Sequence, residues 1–333
     1  MLNIEFQSTF NRYINYGCLK RTDKLLSGLF PEIPFKKNAG HIIEIWESLP
    51  DRVIGQKESF LIPEYTGINK AVLRMIRYVD EELKDDLYAA VLHGSLATGE
   101  EKSYSDFDGL VIIKNEVFSD PQRLARVALS LSKAYSIMIS MDPLQHHGWF
   151  VLTERDLKNW PSAYFPPVLF NYSKSLLNKT TELDITYMNN QENSKNALLR
   201  LTQSISRHLH HGEIPDNTYQ LKGILSEFML LPTLYMQHKT GEGIFKKFSF
   251  SAAAGDFSEK DWSIMNEVSQ IREKWNLNSG YNPGKKPIIV TPAIKKLQIK
   301  QSMQVPAALH HQMDSKFIGR MLQLNNLIRN SVQ

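Results

Sequence analysis

The spacing of apolar positions changes several times along the chain, and each change marks a different kind of element. Residues 1–85 read as helical and interrupted. Phe10, Tyr13, Ile14 and Tyr16 fall together in a first helix. Pro31, Pro34, Pro50 and Pro63 break the rest of this segment into short pieces. A clearer helix opens near Thr66. There Ile68, Val72, Met75, Ile76, Val79 and Leu83 recur at helical spacing, and acidic residues mark the far end.

At Leu87 the apolar positions become continuous. Residues 88–92 form a short apolar run, read as a buried strand, that ends in His93-Gly94-Ser95. A polar stretch from Gly99 to Ser105 separates it from a second predicted strand at 106–113. Residues 121–139 return to helical spacing, with Leu124, Val127, Leu131 and Ala134 on one face, and 147–152 predicts another strand. Pro161, Pro166 and Pro167 then mark a boundary. Beyond them, residues 195–211, 217–238, 258–275 and 314–330 all carry helical periodicity, as in a bundle. Residues 280–306, rich in proline and lysine, read as a long loop.

The expected fold class is α+β, a small mixed sheet flanked by helices. Its expected parts are a helical extension at 1–85, a core at 86–158 and a helical domain at 159–333.

Composition narrows the classes. The 333 residues, 42% hydrophobic and 22% charged, suit a folded chain of more than one domain and exclude wholesale disorder. The single cysteine, Cys18, excludes an intramolecular disulfide framework and a multi-cysteine zinc site. No apolar run approaches the ~18 residues of a membrane span. The first residues lack a basic region followed by an apolar stretch. The expectation is a cytoplasmic protein with no membrane partner. A net charge of +4 permits a polyanionic partner without requiring one.

The chemistry concentrates between residues 93 and 108. Asp106 and Asp108 stand two apart in a predicted strand, which would project both carboxylates from one face. Such a pair repels itself unless a cation sits between its members. Magnesium takes one or two protein carboxylates and fills its shell with water and phosphate oxygens. Gly94-Ser95 closes the preceding strand and opens a helix, offering backbone N–H groups and a hydroxyl to phosphate. Together these parts suit phosphoryl or nucleotidyl transfer.

The stretch resembles the DNA polymerase β-like nucleotidyltransferase superfamily. That family's mark is an apolar residue, Gly-Ser, a polar spacer, and Asp-x-Asp in the next strand. Leu92-His93-Gly94-Ser95 and Ser105-Asp106-Phe107-Asp108 satisfy it, and Gly99-Glu100 matches a common step in the spacer. The resemblance implies Asp106 and Asp108 as ligands of two magnesium ions and Gly94-Ser95 as the cradle of a nucleoside triphosphate.

The family usually adds a third carboxylate from a later strand. Here residues 147–152 contain no acid. Three readings stand. Asp142 reaches the metals from a loop, as a third ligand and base. Alternatively His146 or His147 serves as base in its place. Otherwise the group is absent and activity is weak or lost. Asp142 is the first choice.

Residues 219–250 more loosely resemble bacterial small-substrate nucleotidyltransferases. This implies Lys222 as a triphosphate contact and Lys246 or Lys247 as a second. A lysine on an apolar helix can equally run its stem over the core toward solvent. Phe228, Tyr235, Phe248 and Phe250 read as core, with one free to stack on a base. His208, His210 and His211 read as a helix C-terminus favoured by the dipole. Lys285, Lys286, Lys295, Lys296 and Lys300 read as a solvated basic loop able to meet nucleic acid.

The functional expectation is transfer of a nucleoside monophosphate from a nucleoside triphosphate to an acceptor hydroxyl, with release of pyrophosphate. The expected acceptor is a small molecule; RNA or a protein side chain is the other possibility. The alternative is an inactive fold that binds nucleotide or a protein partner.

Overall fold

The computed structural model describes residues 2–19, 32–50, 53, 55–145, 147–188, 191–276 and 304–332. They divide into two compact units. The first runs to Trp160 and resumes at Phe170–Met188; the second holds Pro161–Leu169 and the described residues after Met188.

The first unit opens with α1 (Leu2–Tyr16) and α2 (Glu32–Glu47). Phe6, Phe10, Tyr13 and Ile14 recur at helical spacing and are buried. Pro34 is tolerated because it lies in the first turn of α2, where a backbone N–H has no helical acceptor to lose. Next along the chain are β1 (Gln56–Ile62), α3 (Lys70–Glu82), β2 (Leu87–His93), the single turn α4 (Ser95–Thr98) and β3 (Asp108–Ile113). Then come α5 (Pro121–Met141), β4 (Phe150–Thr153), β5 (Lys174–Ser175) and β6 (Thr181–Tyr187). Asn69 caps α3 by accepting the N–H groups of Ala71 and Val72, so Ile68, 91% exposed, lies ahead of the helix.

Four strands form a sheet in the order β4-β3-β2-β5. β3 and β4 are parallel; the other two pairings are antiparallel. Ala90, Leu92, Val111, Ile113 and Val151 pack with the buried faces of α1, α2, α3 and α5 in one core. Ala89, Val91, Leu110 and Ile112, at the alternate positions, are fully buried as well. A strand buried on both faces reads as a continuous apolar run, which is how β2 and β3 stand out in the sequence. β1 and β6 form a separate antiparallel ribbon. The Ser175 N–H donates to the Pro63 carbonyl at 2.8 Å and links that ribbon's end to β5.

The α+β expectation holds: a small mixed sheet with helices before and after it. The boundaries differ from those read in the sequence. Residues 1–85 are not all helix and coil, because β1 lies within them, and α1, α2 and α3 share one core with the sheet. The sheet unit does not stop near 158, because β5 and β6 return to it.

The second unit contains α6 (Gln191–Leu209), α7 (Thr218–Phe228), α8 (Leu231–Thr240), α9 (Lys246–Ala254) and α10 (Glu259–Glu273). It ends with α11 (Ala307–Gln312) and α12 (Ser315–Asn330). The predicted helix at 217–238 is two helices. Pro232 cannot supply the N–H that would continue α7, and it sits instead in the first turn of α8. The buried Asn325 side chain of α12 donates to the Thr202 carbonyl and the Ser206 hydroxyl of α6. Arg320 of α12 pairs through its two terminal guanidinium nitrogens with Glu267 of α10. The three clustered histidines sit at or just past the end of α6, as expected, with Gly212 at φ 73° closing the turn. The basic loop at 285–300 lies outside the described residues. Among the described residues, no helix is long and apolar enough to cross a membrane.

Candidate active site

The β2–β3 hairpin builds the site. Its register sets His93, the last residue of β2, directly across from Asp108, the first of β3. After His93 the chain turns at Gly94, with φ 72° and ψ −158°, into the single turn α4. A Cβ on Gly94 would collide with the Asp108 carboxylate. Glycine is needed there twice over, for its dihedral angle and for its missing side chain. α4 ends at Gly99 in the left-handed conformation, and the spacer folds back on itself. The Ser95 hydroxyl donates to Ser105 Oγ at 2.8 Å, and Ser105 Oγ also accepts the Lys102 N–H at 2.9 Å.

Asp106 does not lie in the strand, because β3 begins at Asp108. The two aspartates meet at His147. Its Nε2 lies 3.0 Å from Asp108 Oδ1 and 4.0 Å from Asp106 Oδ2. His147 itself lies ahead of β4 rather than within it, since that strand begins at Phe150. Its Nδ1 lies 3.1 Å from the Gly148 carbonyl and donates to it. With Nε2 facing carboxylates and Nδ1 facing a carbonyl, both ring nitrogens carry hydrogens and the ring is an imidazolium. Burial opposes that charge. The hydrogen bond to Asp108 and the charges of Asp108 and Asp106 outweigh it, and the His147 pKa is pushed up to about 9. Burial would raise the Asp108 carboxyl, but the bond from His147 and the neighbouring imidazoles hold it below its usual value. His93 goes the other way: burial, only partly countered by Asp108, pushes it down to about 4 and keeps it neutral. The rings of His93 and His147 both contact Phe150, with centroids 5.4 and 5.5 Å apart.

A pair of carboxylates converging on one cation is a donor set that fits a hard divalent ion. Among the described residues, no preformed cluster of three or more His, Cys, Asp or Glu side chains is arranged to hold a metal ion. A cation at this site would draw its protein ligands from the aspartate pair and the rest of its shell from water or phosphate oxygens.

The other residues expected from the sequence fall elsewhere. Asp142 caps the C-terminus of α5 and is 1% exposed. Its Oδ1 accepts the Leu144 N–H at 3.0 Å, so the carboxylate serves a turn. The group seen against the two aspartates is His147. His146 lies outside the described residues. Lys222, in α7, is fully buried; Lys246 opens α9 and is half-buried; Lys247 is exposed. All three belong to the second unit. Phe228 and Tyr235 are buried as expected, whereas Phe248 is 47% exposed.

Three amide side chains near the site were not read as functional in the sequence. Gln145 bonds to both backbone groups of Phe107. Asn15, from α1, accepts the Trp149 N–H at 2.8 Å and donates to the Trp149 carbonyl at 3.1 Å. Asn11 donates to the same carbonyl at 3.0 Å. A Cβ on Gly148 would strike the Asn15 side chain. These contacts fix the loop that carries His147. No local pattern signals them, because each joins residues far apart in the chain.

Comparison with known proteins bears on the same stretch. A search of curated proteins finds no match. The family model for the nucleotidyltransferase domain matches residues 74–140. The match takes in most of α3, the β2–β3 hairpin with Gly94, Ser95, Asp106 and Asp108, and nearly all of α5. It stops short of Asp142 and His147. Residues 74–140 are therefore similar to the nucleotidyltransferase domain, which is consistent with a polymerase β-like nucleotidyltransferase superfamily, and the aspartate pair lies within the matched stretch.

Proposed function

We propose that this protein moves a nucleoside monophosphate from a nucleoside triphosphate to an acceptor hydroxyl and releases pyrophosphate, with magnesium as cofactor. One observation carries the reading: Asp106 and Asp108 converge on a single cationic position beside the Gly94 turn. Asp106 and Asp108 would hold the metal, which when bound polarises the transferred phosphoryl group and offsets the charge of the leaving pyrophosphate. The Gly94 backbone and the Ser95 hydroxyl would take the terminal phosphates. His147 would accept the acceptor's proton at Nε2 only once a cation on the aspartates offsets the carboxylate charge that now holds its pKa up to about 9. Asp142 is the second candidate for that third position. The acceptor is read as a small-molecule hydroxyl, with RNA and a protein side chain as the other options.

A second reading is a nucleotide-binding module without turnover. The observation that favours it is the Asp142 carboxylate held in a turn, with no acid on β4. Calorimetry with magnesium and each triphosphate, followed by a pyrophosphate assay over a panel of acceptors, separates the two. Binding with pyrophosphate release supports the transferase. Binding without release for any acceptor supports the module. An absence of triphosphate binding overturns both.

A further inference from the structure

Phe107 sits between the two aspartates in the chain, so whatever holds its backbone restrains both neighbours. The parallel ladder between β3 and β4 begins only at Leu110 opposite Phe150. Phe107 lies ahead of that ladder. A side chain takes the place of the missing strand: Gln145 Oε1 accepts the Phe107 N–H at 2.8 Å, and Gln145 Nε2 donates to the Phe107 carbonyl at 3.0 Å. The second hydrogen on Nε2 goes to the His147 carbonyl, also at 3.0 Å. One amide thus binds the residue between the aspartates and the residue that bridges them.

The amide can sit only one way round. Turned over, its NH2 would face the Phe107 N–H and its oxygen would face two carbonyls. Its own backbone is held as firmly. The Gln145 N–H donates to the Asp142 carbonyl at 3.0 Å, and the Tyr135 hydroxyl donates to the Gln145 carbonyl at 2.9 Å. The residue is 1% exposed, so water does not compete for these bonds.

We propose that Gln145 is the positioning residue that aligns Asp106, Asp108 and His147 as one unit. The inference rests on the metal-dependent reading above. It also gives the Asp142 turn a purpose, since that turn delivers Gln145 to Phe107.

The test is Mn2+ binding to the full chain, followed by electron paramagnetic resonance, with circular dichroism melts as the check on folding. Gln145→Glu keeps the shape but sets a carboxylate oxygen against two carbonyls. Gln145→Met keeps the length without an amide and serves if the glutamate variant does not fold. Each folded variant should bind Mn2+ more weakly by about 10–100-fold, the usual cost of losing a residue that orients metal ligands. A variant that melts lower but binds Mn2+ as tightly as wild type would overturn the proposal alone. Wild-type protein that binds no Mn2+ would overturn the metal reading and this inference with it.

Discussion

The Asp108 carboxylate lies so close against Gly94 that any other residue at 94 would drive its Cβ into it. Gly94→Ala therefore strains a backbone at φ 72° and displaces a candidate metal ligand in one step. The strain costs about 1–3 kcal/mol. Pyrophosphate release should fall far more than the melting temperature implies. Gly99→Ala is the matched control, since its φ is 68° but its Cβ would meet nothing. It should lose stability yet keep most of its turnover.

The His147–Asp108 contact predicts a pH dependence of the metal-free protein. The folded pKa of His147, about 9, lies above its unfolded value of about 6.5. The contact's stabilisation is then complete below about pH 6.5 and is lost as pH rises through about 9. Its size is on the order of 2–3 kcal/mol. Urea unfolding at pH 6.5 and pH 9 should show the fall, and His147→Gln should flatten it. Equal slopes in the two proteins would mean that the imidazolium contributes nothing.

Asn15 predicts that α1 supports the site from outside the matched domain. Asn15→Leu leaves the buried Trp149 N–H and carbonyl without this amide, at a cost of about 1–3 kcal/mol. It also loosens the loop that carries His147. Thermal melts should fall, and pyrophosphate release should slow at temperatures where the variant is still folded. A variant that loses stability with full turnover would limit Asn15 to a packing role.

Asp86 provides a contrast. It lies just before β2, at the end of the strand away from Gly94, and is 4% exposed. Arg123 and Arg126 of α5 donate to its carboxylate at 2.7 and 3.0 Å. Asp86→Ala removes a buried partner of two cations and should cost about 2–3 kcal/mol, less than a fully buried pair because Arg126 is mostly exposed. Binding of a magnesium–triphosphate complex, measured by calorimetry below the melting transition, should be unchanged.

The range of the forces involved decides how much of this was legible in the sequence. β2, β3 and α5 carry their burial in local patterns, and Gly94, Ser95, Asp106 and Asp108 lie within a short stretch. β1 was missed because Gln-Lys-Glu-Ser opens it with solvent-facing polar residues, and its partner β6 lies more than a hundred residues on. β6 does alternate, with Thr181, Leu183 and Ile185 buried and Glu182 and Asp184 exposed, but its setting among helices hid the signal. The aspartate pair was expected to converge through strand periodicity, whereas a histidine from another loop joins it. That loop is held by Asn15 and Gln145, and contacts across 134 and 38 residues leave no trace in local spacing.

The central claim is that Asp106 and Asp108 share a cation that serves a nucleoside triphosphate. Its most direct test is release of labelled pyrophosphate from nucleoside triphosphates, with magnesium, by wild type and by Asp106→Asn and Asp108→Asn. Wild type should release pyrophosphate, and both variants should fall to background at temperatures where they remain folded, with Asp108→Asn melting lower because it loses the His147 ion pair. Undiminished release by either folded variant would contradict the claim.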